Sequence, residues 1–366
     1  MRRPECVFGR WYDNGAWYMK KQGFLIQSST GPSIADPSTA VPLTAVRLLA
    51  ALLIAVLLLT GLGACRAQPE PADFEDRLFF GFAQLGDESE WRSSSTADIL
   101  RAAEEAGFQL MYENAQQKQA NQIKALRSFI LNRVDVIAFC PIVEEGWDNV
   151  LMEAKDAHIP VILVDRYIKT DEEGLYCAFI GSDFRWQGEQ AGEWLLKKFR
   201  GHEGPIKIAE IIGTENSSPT IGRYEGFREV IGNNSDFKIV NSVNGDFMRS
   251  KGRECMEAIL SETPDIDVLY AHNDDMAMGA IEIMEEHGIR PGKDIVIISV
   301  DAQKSGLEAL KEGKINCLVE CSPYVGDQLM DLVVKAAMGE EVPLATFTEE
   351  KVYTETDDFD ALPIRP

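Results

Sequence analysis

Histidine is scarce in this sequence, and basic residues are outnumbered. The four histidines, His158, His202, His272 and His287, are scattered without the pairing of a zinc site. No segment resembles a P-loop, a G-x-S-x-G elbow or a Cys-His nucleophile arrangement. No metal, cofactor or catalytic residue is therefore expected. Lys and Arg number 36 against 59 Asp and Glu, a formal net charge of −23. A nucleic-acid partner needs clustered basic residues, so none is expected. The acidity does not identify a ligand, because acidic surfaces mostly serve solubility. Cysteine offers no disulfide framework either. Beyond Cys65 there are five, Cys140, Cys177, Cys255, Cys317 and Cys321, an odd number without framework spacing. Four residues of strand separate Cys317 from Cys321 by roughly 13 Å, beyond the reach of a disulfide.

Long apolar runs are also few. From Leu48 to Leu59, "LLAALLIAVLLL", the chain is uninterruptedly apolar, with Arg47 just before it. The run is short for a membrane span but suits the apolar region of a signal peptide. It ends in Leu62-Gly63-Ala64-Cys65, and the polar linker "RAQPEPADFEDR" follows. Small residues before a cysteine resemble a lipobox, where cleavage precedes a lipid-modified Cys65; an ordinary signal peptide is the alternative. Residues 46–64 are then the signal peptide and 65–75 the linker. Residues 1–45 do not fit a signal-peptide start and are expected to be a leader or an over-extended translation start. Removing the six basic and three acidic residues before Cys65 takes the charge from −23 to −26.

What the sequence does contain is an alternation of apolar runs and amphipathic stretches. The 366 residues, 45% hydrophobic, suffice for two domains with substantial cores. Strands are expected at 78–84, 134–140, 160–164, 206–212, 268–271, 295–300 and 316–320. Helices are expected at 94–106, 119–132, 146–157, 186–199, 222–231, 250–261 and 276–287. Strands apolar on both faces and joined by helices indicate parallel sheets covered on both sides, so the expected class is α/β.

Polar residues recur where these strands end. "PVILV" is followed by Asp165-Arg166, "VLYAH" by Asn273-Asp274-Asp275, and "IVIISV" by Asp301. "LFFGFAQ" leads into "LGDESEWR", with Glu88, Glu90, Trp91 and Arg92. Open parallel sheets bind ligands outside the carboxyl ends of their strands, so these groups are expected to share a surface. Three roles compete for Asn-Asp-Asp at such a junction: a metal cluster, a helix cap, or part of a ligand shell. Asp and Asn after a strand often cap the next helix, and Asp274 and Asp275 are expected to begin one. Asp165 and Asp301, each beside other polar strand ends, are less well explained by capping.

"QQKQANQIKALRSFI", "GDFMRSKG", "YAHNDDMAMGAIEIMEEHGIRPGKDIVIISVDA" and the Asp-Arg after "PVILV" resemble the sugar-binding proteins of bacterial ABC importers. Within that family the likeness is to the galactofuranose type. It covers about residues 77–355. The LacI-type repressors share the fold but begin with a helix-turn-helix, where this sequence has its lipobox-like segment.

The resemblance implies two similar α/β lobes joined by three crossing strands, with a ligand in the cleft between them. One lobe would comprise residues 76–181 and 321–349, the other 182–320 and 350–360. It further implies that Asp165 and Arg166 form a ligand-binding pair and that Arg223 reaches in from the opposite lobe. Asn273 would offer a donor and an acceptor, Asp301 an acceptor near the hinge, and Glu320 a carboxylate where the family has an amide or acid. Trp91 and Phe247 would cover the C–H faces of a sugar ring. Arg92, beside Trp91, departs from the aromatic pair of ribose binders and agrees with the galactofuranose type. Each has a plainer alternative: Phe247 as core, Glu320 as a solvated strand end, Arg223 paired with Glu215, Trp91 as a surface aromatic. The implied protein is a monomeric, lipid-anchored binder of a monosaccharide, serving an ABC permease outside the cytoplasm. A sensor feeding a signalling receptor would use the same closed state, and a sugar-modifying enzyme would require turnover.

Overall fold

β3 (Val136–Phe139) and β4 (Val161–Val164) are buried along their whole length, as expected of strands covered on both faces. They lie at the centre of the first of two sheets in a computed structural model that describes residues 78–232 and 234–364. The leader, the apolar run, Cys65 and the linker lie outside the described residues.

The chain begins with β1 (Phe79–Gln84), α1 (Glu90–Glu105), β2 (Gln109–Asn114) and α2 (Gln119–Asn132). After β3 come α3 (Asp148–Asp156), β4 and β5 (Ala178–Gly181). Next are α4 (Phe184–Lys198), β6 (Ile206–Ile212), α5 (Ser218–Ile231), β7 (Phe237–Asn244) and α6 (Arg249–Glu262). β8 (Val268–Ala271), α7 (Asp274–Glu286), β9 (Val296–Asp301), α8 (Lys304–Lys311) and β10 (Cys317–Glu320) continue the alternation. α9 (Gly326–Ala337), β11 (Ala345–Phe347) and β12 (Val352–Thr354) follow.

The first sheet has the order β11-β5-β4-β3-β1-β2 and the second β12-β10-β9-β8-β6-β7. Every pairing is parallel except β10 with β12. The molecule is thus the expected α/β fold of two parallel-dominated lobes. The chain passes between the sheets after β5, after β10 and between β11 and β12. α9 follows a strand of the second sheet yet buries Leu329, Met330 and Val333 with Ile99 and Ala102 of α1, on a face of the first.

The strands absent from the sequence-based expectation are β2, β5, β7, β11 and β12. β2 and β7 are edge strands with half-exposed, polar sequences, "QLMYEN" and "FKIVNSVN". β5, β11 and β12 have only four, three and three residues. α1 starts at Glu90 rather than 94, because the Ser89 side chain accepts from Arg92 N and caps it. α5 starts at Ser218, with Pro219 in its first turn.

α4 and α5 approach backbone to backbone. A Cβ on Gly188 would collide with the carbonyl of Arg223, and one on Gly226 with that of Arg185. This contact sets Gln187 of α4 beside Arg223 of α5.

Candidate functional site

The carboxyl ends of β1, β4, β8 and β9 face a cavity between the lobes. From the first lobe Trp91, Arg92, Asp165 and Arg166 line it, and from the second Arg223, Phe247, Asn273 and Asp301. Eight of the nine residues expected from the sequence therefore meet at one place. Glu320 does not line it: its Oε2 accepts from Lys351 N at 3.1 Å and from Tyr353 Oη at 3.0 Å, at the β10–β12 pairing.

Charges inside the cavity are interlocked. Arg92 Nη2 reaches Asp165 Oδ2 at 2.7 Å, and its Nε reaches Glu88 Oε1 at 3.0 Å. The same Glu88 oxygen lies 3.4 Å from Arg166 Nη2. Burial works against the charge of Arg92, but Cys140, Asp165 and Glu88 outweigh it and raise its pKa above the ordinary value. Arg166 is shifted the other way, by burial and by the neighbouring Arg92. Glu88 Oε2 and Arg166 Nε are buried without a hydrogen-bond partner among the described residues. Such groups are costly unless something satisfies them.

On the opposite wall Arg223 Nε donates to Gln187 Oε1 at 2.9 Å, Nη1 donates to the His272 carbonyl, and Nη2 lies 3.7 Å from Asp301 Oδ1. Glu215 is not among these partners. Burial drives the Asp301 carboxyl well above the usual range; Arg223 opposes this, while Asp274, Asp275 and Asp165 add to it. Trp91 is buried rather than superficial, and its Nε1 donates to Cys321 O at 2.7 Å. Phe247 belongs both to the second lobe's core and to the cavity, where the guanidiniums of Arg166 and Arg223 lie 5.2 and 5.9 Å from its ring centre. A Cβ on Gly213 would collide with that ring.

The Asn-Asp-Asp junction divides its work differently from expectation. α7 begins at Asp274, but the cap is Asn273, whose side chain accepts from Met276 N at 3.0 Å and donates from Nδ2 to Phe247 O at 3.1 Å. Asn273 is thus both cap and cavity wall. Asp274 is fully buried and accepts from Ser299 Oγ and Gln303 N at 2.7 and 2.8 Å. Asp275 accepts from Glu90 N across the cleft at 2.7 Å, and Glu90 Oε2 accepts from Ser305 Oγ at 2.6 Å. Further bonds between the lobes run from Glu144 N to Asn216 O and from Tyr167 N to Ser218 Oγ. This is a closed arrangement. Among the described residues no group of His, Cys, Asp and Glu has the geometry to hold a metal ion.

Three cavity residues hold an unusual backbone. Asp165, Phe247 and Asp301 have φ of 61°, 62° and 121°, in the left-handed region that non-glycine residues seldom enter. Glu88, expected at the shared strand-end surface but given no contact with the ligand, lines the cavity, and the residues that sequence reasoning missed include Phe184 and Cys321.

Residues 80–341 match the family model described as periplasmic binding protein domain. The chain belongs to this family. It is 40% identical to the galactofuranose-binding protein YtfQ of Escherichia coli (strain K12) over 280 residues, covering 75% of this chain and 87% of that protein. A Mycobacterium smegmatis structure in complex with β-D-fucofuranose shares 48% identity and a TM-score of 0.75, covering 76% of this chain and 91% of that one. The periplasmic binding protein component of the arabinose ABC transporter from Shewanella sp. ANA-3, bound to α- and β-L-arabinofuranose, shares 42% identity and a TM-score of 0.73, covering 76% and 92%.

Proposed function

We propose that the protein captures a neutral monosaccharide in its furanose form, such as galactofuranose, and delivers it to an ABC permease. The observation that carries this is the cavity itself: three guanidiniums, three carboxyl groups and the aromatic side chains of Trp91, Phe184 and Phe247 line one space between the lobes. Carboxylates accept from adjacent hydroxyls and guanidiniums donate in a planar fork. Trp91 and Phe247 would cover the C–H faces of the ring. Arg92, Arg166 and Arg223 stand against Glu88, Asp165 and Asp301, so the cavity offers both donors and acceptors to an uncharged ligand rich in hydroxyls. Furanose over pyranose is supported by the three relatives, whose names and complexes are all of furanoses. Closure would bring Asp165 and Arg223, from opposite lobes, onto one ligand. The protein would act as a monomer, held at the outer face of the membrane by acylation of Cys65.

Calorimetric titration tests the specificity. D-galactose, D-fucose and L-arabinose, which form furanoses in solution, should bind, and their methyl pyranosides should not. Equal binding of the pyranosides, or no binding of any sugar, would overturn the reading. N-terminal analysis of the membrane fraction tests the anchor: the mature protein should start at an acylated Cys65, and Cys65→Ala should block processing.

A further inference from the structure

Glu350 sits in the short link between β11 and β12, and donors from all three interlobe crossovers converge on it. Its Oε1 accepts from Ser182 Oγ, just after β5, at 2.5 Å and from Ser322 N, just after β10, at 3.0 Å. Thr348 Oγ1, just after β11, donates to the same oxygen at 2.8 Å. Oε2 accepts from Gln187 Nε2 at 2.7 Å, and Gln187 Oε1 accepts from Arg223 Nε. One carboxylate is therefore bonded to each crossover and, through one amide, to an arginine of the cavity wall.

The direction of the nitrogen bonds in this relay is fixed. A guanidinium only donates, so Gln187 must turn its oxygen toward Arg223 and its NH₂ toward residue 350. Residue 350 must then accept from the amide at one terminal atom and from Ser322 N at the other, which the two oxygens of a carboxylate do and a neutral amide, with a single oxygen, does not. We infer that Glu350 is a positioning residue that ties the hinge to the binding site, fixing the three crossovers in the closed arrangement and, through Gln187, the direction of Arg223. The inference rests on the proposed capture of a sugar by closure, but it concerns a residue that does not line the cavity.

The deciding experiment needs no ligand. In NMR spectra of the wild-type protein, the Arg223 Nε–H and the Ser322 amide should exchange slowly with solvent. In Glu350→Gln both should exchange at least about tenfold faster, as expected for the loss of about 1.4 kcal/mol of bonding. Gln187→Met, which cuts the relay and one bond to the Glu320 carbonyl at the end of β10 but leaves the three crossover donors on Glu350, should release the Arg223 Nε–H and leave the Ser322 amide protected. Unchanged exchange at Arg223 in Glu350→Gln would overturn the inference. Glu350→Asp, which remains acceptor-only, serves if the Gln variant fails to fold; wild-type exchange at Arg223 in Gln187→Met would still sink the relay. Titration with D-galactose adds a functional reading: Glu350→Gln should weaken binding roughly fivefold or more. If no sugar binds the wild type, the proposed function fails, while the exchange data still decide the role of Glu350.

Discussion

Arg92 and Asp165 meet at 2.7 Å in the closed cleft, both almost fully buried, one from the start of α1 and one from the end of β4. Each answers the other's charge, with Glu88 beside Arg92 and Arg166 beside Asp165, so neither can be removed quietly. Truncating one partner of a buried pair leaves an uncompensated charge.

Asp165→Asn is the informative substitution, because Asn tolerates the left-handed backbone that Asp165 adopts. It should weaken sugar binding by roughly 10–150-fold, from the loss of one charge-assisted hydrogen bond. Titration calorimetry checks this. A loss of less than about threefold would remove Asp165 from the set of ligand contacts.

Glu88 and Glu320 make a contrasting pair. Glu88 bridges Arg92 and Arg166 and keeps one oxygen buried in the cavity region, whereas Glu320 is bonded to Lys351 and Tyr353. Glu88→Gln should lower affinity roughly tenfold or more, and Glu320→Gln less than about threefold. Equal losses in parallel titrations would contradict the assignment.

The bonds from Glu90 N to Asp275 and from Ser305 to Glu90 span the lobes without lining the cavity. Ser305→Ala should speed sugar release by about three- to tenfold, as expected for a hydrogen bond contributing about 1 kcal/mol to the closed state. Association should change little. Stopped-flow fluorescence measures both rates, and an unaltered release rate would show that this bond does not secure closure.

Asp274 gives a dependence on pH with a definite sign. Burial pushes its carboxyl up to about 7, from near 3.9 in an unfolded chain. The folded state thus favours the protonated form. The stabilisation is fully present below about pH 4 and is lost as pH rises through about 7. Asp274→Asn, neutral throughout, should gain stability relative to wild type between those limits. Urea melts at several pH values read this difference, and a difference that stays constant with pH would refute it.

The sequence carried the sheet centres and the strand-end residues because both leave local marks. "VIAF" and "VILV" are uniformly apolar, and an acid or amide directly after such a run stands out. β2 and β7 leave no such mark, since an edge strand with one half-exposed face reads as polar chain. The positive φ of Asp165, Phe247 and Asp301 was hidden too: tertiary packing imposes it, and no glycine marks the spot. Asn273 and Asp274 could not be told apart as caps by residue type, since Asp and Asn cap equally well. What separates them is that Ser299 and Gln303, far along the chain, claim the Asp274 carboxylate. Glu88 was placed at the shared surface, but its bridge between Arg92 and Arg166 is a tertiary contact, and Glu350 lies in a tail whose partners come from three distant segments.

The balance of guanidiniums and carboxylates within the cleft bears on the medium in which the protein can work. Dissolved ions screen exposed charges over about 8 Å at physiological strength, but they act weakly on groups sealed from water. A sugar without charge brings nothing for them to screen. Capture should therefore be much the same in fresh and in saline surroundings. Salinity would instead govern how the strongly acidic exterior meets other macromolecules, so the two sides of the protein's work answer to different features of its environment.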